Sequence, residues 1–327
     1  MKRKVLVWGT VACMMMGLAG SAVNVAAEET SYKICWTMAD LANPVWAEKA
    51  DQAVITAEEL GCEFEVVSCD NDASKQVAQI ENFIEQGVDA IMIGAADAAS
   101  LTDVCKKAMD AGIIIMCEGI ELENYDLALL CDNYEAGWMI GEQCANFINE
   151  NYDGVAEVGL ITYYENAECT LRGKAMQEAL AELCPEATIV KEGSTVVADE
   201  AMTYVENWLQ ANPDMKAIMS IGDGGGIGAN QAVKAAGKAD GFGIFAVDGT
   251  VEALQLMADG DPIKAELAFG SGWQIGKNAV ELTYKALTEE GVEKNHTHPN
   301  QLVTLENLEE KVAEWGYEDR IDLSNLK

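Results

Sequence analysis

The sequence predicts an α/β protein of two similar lobes, each a parallel sheet flanked by helices. Three observations carry this. From residue 32 onward, short apolar runs alternate with stretches whose apolar residues recur at helical spacing. Such alternation is the mark of parallel strands covered on both faces by crossover helices. The alternation also falls into two sets, one ending near Asp132 and one running from Asn133 to about Ala268. No linker rich in Pro or Ser divides them, which implies short crossovers and a chain that passes between lobes more than once. Half of the 327 residues are hydrophobic, enough for two cores of moderate size.

Taken in order, residues 32–38 form the first apolar strand, and Asn43-Pro44 opens a helix. Asn is a good N-cap, and Pro suits the first helical position, where its missing N–H costs nothing. Val45, Trp46, Ala50, Ala53, Val54, Ala57 and Leu60 then recur along one helix face until Gly61 stops it. Strands are expected over 64–68, 90–93 and 113–117, with helices over 77–84 and 98–110 between them. In the second set, strands are expected over 158–161, 188–190, 217–221 and 244–247, and helices over 171–183, 201–209 and 230–236. A helix over 273–287, a loop and a strand over 302–305 follow.

The amino terminus reads as a secretory signal peptide over 1–27. Lys2, Arg3 and Lys4 precede an uncharged apolar run over 5–22, and Val25-Ala26-Ala27 supplies the small residues before a cut. The run approaches spanning length, but the polar Glu28-Glu29-Thr30 after it favours cleavage over anchoring. Cys13 sits too early in the run, after a poor Thr10, for a lipid anchor. An exported protein in the periplasm or on the outer face of the cell membrane is expected. Cleavage removes three cations and no acid, taking the net charge from −34 to −37. A chain so acidic repels nucleic acid and anionic lipid, so no nucleic-acid partner is expected. The acids are spread along the whole chain and serve solubility. Ten Cys form no CxxC or metal-ligand spacing, and Cys35, Cys117 and Cys131 lie in apolar runs as small hydrophobes. His296-Thr297-His298, next to Pro299, reads as part of a loop and not as a metal site.

Open α/β sheets bind ligands at the carboxyl ends of their strands. The segments there hold Asp40 and Asn43-Pro44-Val45-Trp46; Glu118-Gly119; Tyr163-Tyr164-Glu165; Gly222-Asp223-Gly224; Asp248-Gly249-Thr250; and Gly270-Ser271-Gly272-Trp273. Carboxylates and amides suit adjacent hydroxyls, because each accepts or donates in a fixed direction. Aromatic faces suit the C–H face of a sugar ring. Taken singly, Asn43 and Asp223 also read as helix caps and Trp46 as core; together they suggest a binding site.

Ala42-Asn43-Pro44-Val45-Trp46 after a first strand, Gly222-Asp223 before a helix, and Val247-Asp248-Gly249-Thr250 resemble the type I periplasmic binding proteins. Within these, the order and spacing resemble the ribose/galactose-type sugar-binding proteins of ABC transporters over nearly the whole exported chain. The resemblance implies a monomer of two lobes joined by a three-stranded hinge that closes on its ligand. It places one lobe at 28–132 plus 270–299 and the other at 133–269 plus 300–327. It implies ligand contacts from Asn43, Trp46 and Glu118 on one side and from Tyr163, Arg172, Asp223 and Asp248 on the other, with Trp273 nearby. For the second-lobe arginine, a register shifted by two would put Thr170 in its place. Gly222 stands where ribose-type members often carry Asn, no Arg follows Glu118, and Gly270 replaces a familiar Gln. Only Arg172 and Arg320 remain after residue 27. With donors few and acids many, an anionic ligand is disfavoured, and a monosaccharide, a neutral polyol or a cationic solute is expected. The implied partner is an ABC transporter permease, with no cofactor and no metal.

Other readings stay open. A sensory binding protein would present the same closed form to a membrane receptor. Gly224-Gly225-Gly226-Ile227-Gly228-Ala229 follows a strand and fits a loose dinucleotide pattern, with Asp248 at the end of the next strand. The motif comes late in the chain, and no His stands near it to act as acid or base. A hydrolase lacks its Gly-x-Ser-x-Gly elbow. A transcription regulator of this fold would need a basic amino-terminal helix pair.

Overall fold

A computed structural model describes residues 31–41 and 44–326. The expected signal peptide at 1–27 and the candidate ligand residue Asn43 lie outside the described residues. The first sheet contains β1 (Lys33–Met38), β2 (Glu63–Ser68), β3 (Ala90–Ile93), β4 (Ile114–Gly119), β5 (Leu127–Leu130) and β11 (Asn295–Thr297), in the order β11-β5-β4-β3-β1-β2. All its neighbours are parallel. The second contains β6 (Glu157–Thr162), β7 (Thr188–Ser194), β8 (Met215–Ser220), β9 (Gly243–Val247), β10 (Ile263–Ala268) and β12 (Gln301–Thr304), in the order β12-β10-β9-β8-β6-β7.

The two sheets share one winding, with the strand order reversing beside β1 in the first and beside β6 in the second. One strand departs from the parallel expectation: β12 runs antiparallel to β10. The reason is positional. β10 ends where the chain leaves this sheet for the other, and β12 begins where it returns, so the two run in opposite senses. The chain crosses three times: between β5 and α4 (Asn133–Tyr152), between β10 and α9 (Gly272–Thr288), and between β11 and β12.

Alternate residues of each strand feed opposite faces, as the period of two requires. Ile34, Trp36 and Met38 of β1, with Met92 and Met116, pack under α1 (Pro44–Glu59) and α9 through Ala50, Ala53, Ala57, Ala279 and Val280. Cys35, Ile91, Ile93, Ile115 and Cys117 meet Ile80 and Phe83 of α2 (Ala73–Gln86) and Val104 of α3 (Thr102–Asp110) on the other face. In the second sheet one face packs on α4 and α5 (Ala167–Leu183), the other on α6 (Ala198–Ala211), α7 (Asp223–Ala235), α8 (Val251–Ala258) and α10 (Leu308–Glu314). Helix starts follow local chemistry: Asp72 accepts from the amides of Ser74 and Lys75, Asp132 from Glu135 and Ser271 from Gln274.

His296 belongs to β11 and not to the expected loop, while His298 does lie in a loop, the third crossover, and is buried there. Among the described residues nine cysteines are free thiols, all buried or half-buried, and burial pushes every one upward from its ordinary value. Among the described residues no helix is long and apolar enough to cross a membrane.

Candidate functional site

The first-lobe wall is built on α1 and the end of β4. Trp46 lies in the first turn of α1, half-buried, with its ring against Gly94 just past β3. One turn later Lys49 turns inward, 8% exposed, and its Nζ stands 5.8 Å from the Trp46 ring centroid. The same Nζ donates to Glu118 Oε1 at 2.9 Å. Glu118, 4% exposed, ends the buried strand β4. Two buried opposite charges in contact balance each other, where either alone would be costly. His298 Nε2 stands 3.9 Å from the same carboxylate oxygen, too far for a hydrogen bond. Burial lowers the His298 ring to about 4, with Glu118 pulling it up and Lys49 pushing it down, so the ring is neutral at pH 7.

The second-lobe wall gathers carboxyl groups. Asp223 opens α7 after β8, Asp248 follows β9, and Glu266 lies within β10 with no exposure. The backbone amide of Asp223 donates to Asp248 Oδ2 at 3.3 Å, and that of Thr250 to Asp223 Oδ2 at 2.6 Å. Asp248 is non-glycine yet holds φ at 117°, a conformation that costs of order 1–3 kcal/mol and persists where the surroundings fix it. A Cβ on Gly222 would stand 3.0 Å from Asp248 Oδ2, so an Asn there would crowd this carboxylate.

The Asp223 and Glu266 carboxyl groups face each other out of water. Were both ionised, Asp223 Oδ1 and both Glu266 oxygens would have no hydrogen to accept. With one protonated, they join in an O–H···O bond. Burial, then Asp248, raises Asp223 to about 7. Burial, then Asp223, raises Glu266 well above the usual range. Asp248 is also raised by its desolvated setting, against the pull of Arg172 and Lys49. Its side chain is nevertheless 43% accessible, so water reaches it from one side while protein walls the rest.

Arg172, on α5, serves this wall from behind. Its Nε and Nη2 donate to Asn133 Oδ1 at 3.1 and 2.6 Å, and its Nη1 to the carbonyl of Ile221. Nη1 also faces Asp248 Oδ1 at 3.8 Å, and the guanidinium lies over the Phe269 ring. Most of its donors are thus held within the lobe, and what it offers the cleft is charge beside Asp248. The register of α5 is tight here: a Cβ on Gly137 of α4 would fall 2.1 Å from the Arg172 carbonyl. Thr170, the other register, bonds back to the carbonyls of Asn166 and Tyr163. Tyr163 itself is half-buried against the second-lobe core, and Trp273 is 44% exposed in the first turn of α9.

Burial pushes the Cys131 thiol to about 12, and Glu118 and Lys49 of one wall and Arg172 and Asp248 of the other all act on it. Glu48 adds a bond between the two lobes: its carboxylate accepts from Tyr317 Oη at 3.0 Å and from Arg320 Nη1 at 2.5 Å. Lys49 and His298 were missed in the sequence. Lys49 did carry a signal, a cation three residues after Trp46 inside the apolar stripe of α1.

The glycine run that suggested a dinucleotide loop lies inside α7. A Cβ on Gly224 would fall 2.0 Å from the Val196 carbonyl, one on Gly225 2.2 Å from Ser220 Oγ, and one on Gly228 2.2 Å from the Ala198 carbonyl. These glycines let α7 lie against α6 and β8; they do not form a phosphate cradle.

Residues 34–291 match the periplasmic binding protein domain family. A Rhizobium meliloti protein named for rhizopine binding is 30% identical over 76% of this chain and 82% of its own length. The ribose import binding protein of Bacillus subtilis is 25% identical over 84% and 87%. In fold, the chain is similar to an ABC transporter solute-binding protein from Bacillus halodurans C-125 solved with bound myo-inositol, at a TM-score of 0.78 and 23% identity over 87% of this chain and 98% of that one. A family match over most of the chain, on two like-wound sheets joined by three crossings, makes this protein a member of the periplasmic binding protein family: an extracytoplasmic solute-binding protein and not an enzyme.

Proposed function

We propose that this protein captures a neutral sugar or polyol between its two lobes, as a monomer, and delivers it to the permease of an ABC importer, from the periplasm or the outer face of the cell membrane. The lobes are taken as 28–132 plus 270–299 and 133–269 plus 300–327. The observation that carries the reading is a pair of polar clusters at strand ends, Lys49 on Glu118 at the end of β4 in one lobe and Asp248 beside Arg172 after β9 in the other. A ligand bonded to both walls stabilises the closed arrangement by its differential affinity for it. Asn43, Trp46 and Glu118 serve from the first lobe, and Tyr163, Asp223 and Asp248 from the second. Arg172 acts chiefly through Asp248, and Trp273 borders the opening. The charges favour an uncharged ligand: Lys49 and Glu118 cancel, and the facing wall is acidic, which repels carboxylates. Relatives named for ribose and xylitol, and the myo-inositol held by the Bacillus halodurans protein, support hydroxyl-rich ligands.

The test is a thermal-shift screen against sugars, polyols, sugar acids, amino acids and polyamines. A ligand that binds only the folded state raises the melting temperature. A rise with a sugar or polyol is expected. A rise confined to amino acids or polyamines would overturn the ligand class while leaving the family intact.

A further inference from the structure

The first-lobe wall holds a cation whose bonding is incomplete. The Lys49 ammonium carries three N–H donors. Glu118 Oε1 takes one, and this is its one hydrogen bond among the described residues. The Trp46 ring offers only a distant π face, 5.8 Å away. A nine-tenths-buried ammonium with donors left over is an expensive arrangement unless something else accepts from them. A second group beside it is also unmatched. The His298 side chain is 1% accessible, its Nε2 has no hydrogen-bond partner, and that nitrogen points toward Glu118 from 3.9 Å. Glu118 thus has one donor in contact and a second held just out of reach.

We propose that Lys49 is a ligand-binding residue, which donates to one hydroxyl of the solute while Glu118 accepts from the adjacent hydroxyl, and that His298 is a positioning residue, which turns Nε2–H onto Glu118 as Lys49 shifts toward the solute. This rests on the sugar or polyol reading above and narrows it to ligands with two neighbouring hydroxyls. The chemistry matches in number and sign. A vicinal diol supplies an acceptor for a free ammonium hydrogen and a donor for the carboxylate. The ion pair stays neutral throughout, and Glu118 never lacks a donor during the exchange. A carboxylate in the same place would meet Lys49 favourably but Glu118 and Asp248 unfavourably, so sugar acids are rejected. If Lys49 served only to neutralise Glu118, no preference for the diol would depend on it.

The experiment is titration calorimetry on the purified protein with D-ribose, xylitol and myo-inositol, each beside a monodeoxy counterpart that lacks one of two adjacent hydroxyls. The wild type is expected to prefer the diol. Lys49→Met is expected to lose at least about tenfold in affinity for the diol and far less for the deoxy compound, so the preference collapses. Lys49→Gln keeps amide donors without the charge and is expected to retain part of the preference, which guards against a folding defect in the Met variant. His298→Phe is expected to weaken both compounds and leave the preference in place. Equal losses for diol and deoxy compound in both Lys49 variants, or no loss in either, would overturn the assignment and leave the carbohydrate reading standing. A wild type that binds none of the three probes and shows a melting-temperature rise confined to amino acids or polyamines would overturn both.

Discussion

The two walls of the cleft solve the problem of buried charge in different ways. In the first lobe, Lys49 and Glu118 form a balanced pair whose members each need the other. In the second, Asp223, Asp248 and Glu266 crowd together with Arg172 beside Asp248, and the excess is met by retaining a proton. One wall is therefore sensitive to losing a partner, and the other to losing a proton. The second is strained in backbone and charge, as binding sites commonly are.

The largest effect should come from breaking the balanced wall. Glu118→Ala leaves the Lys49 ammonium buried and unpaired, and should cost about 3–5 kcal/mol of stability in urea denaturation. Adding Lys49→Met should recover much of that loss, because no charge is then stranded. If the double variant is no more stable than the single, the pair is not the unit described here.

The crowded wall should respond in binding before stability. Asp248→Ala should weaken binding of the solute found in the screen by at least about 2 kcal/mol, since hydroxyls in the closed cleft lose their acceptor. Asp248→Gly should lose affinity equally yet raise the melting temperature, because glycine tolerates φ of 117° and the substitution removes a like charge beside Asp223. A fall in melting temperature would place the strain elsewhere.

The retained proton makes a smaller, graded prediction. Asp223 is raised to about 7 and Glu266 further, so the folded state holds protons that the unfolded chain releases above its ordinary carboxylate range. Stability from this source is full below about pH 4 and is lost as pH rises through about 7. Urea midpoints at about pH 5 and about pH 8 should differ in that sense, and Glu266→Gln should flatten the difference. The least effect is expected at Trp46, where Ala should cost about 1 kcal/mol of affinity through lost stacking. If fluorescence of the wild type ignores the solute, the Trp46 ring serves packing alone.

Much of the architecture was legible because parallel strands buried on both faces and amphipathic helices leave different periods. The strands around Ile91 and Met219 stand out as apolar runs, and the α1 stripe as a spacing of three and four. The antiparallel β12 was not legible, since its direction is set by where the chain returns from the other lobe. The glycines of α7 misled for a physical reason: close approach of two backbones and close approach to a phosphate both demand a missing Cβ. Asp248 was visible at the end of its strand, but its backbone strain was not. Glu266 gave a faint signal, a lone acid inside the strand Ile263–Ala268. Its unmatched oxygens emerge only when β10 is laid beside α7. Lys49 stood out as a cation inside the apolar stripe of α1, but its partner Glu118, 69 residues away, was not legible.

The buried thiols have a practical consequence for watching this protein move. At neutral pH the thiolate is scarce at all nine cysteines, from Cys35 to Cys184, because burial opposes the ionised form. Alkylating dyes react with thiolate. A cysteine introduced on the exposed surface of each lobe, at Asp110 and at Asp240 for instance, should therefore label far faster than any native one. A donor and acceptor dye could be attached without first stripping the chain of its own sulfur, and the distance between them read directly as the solute is added.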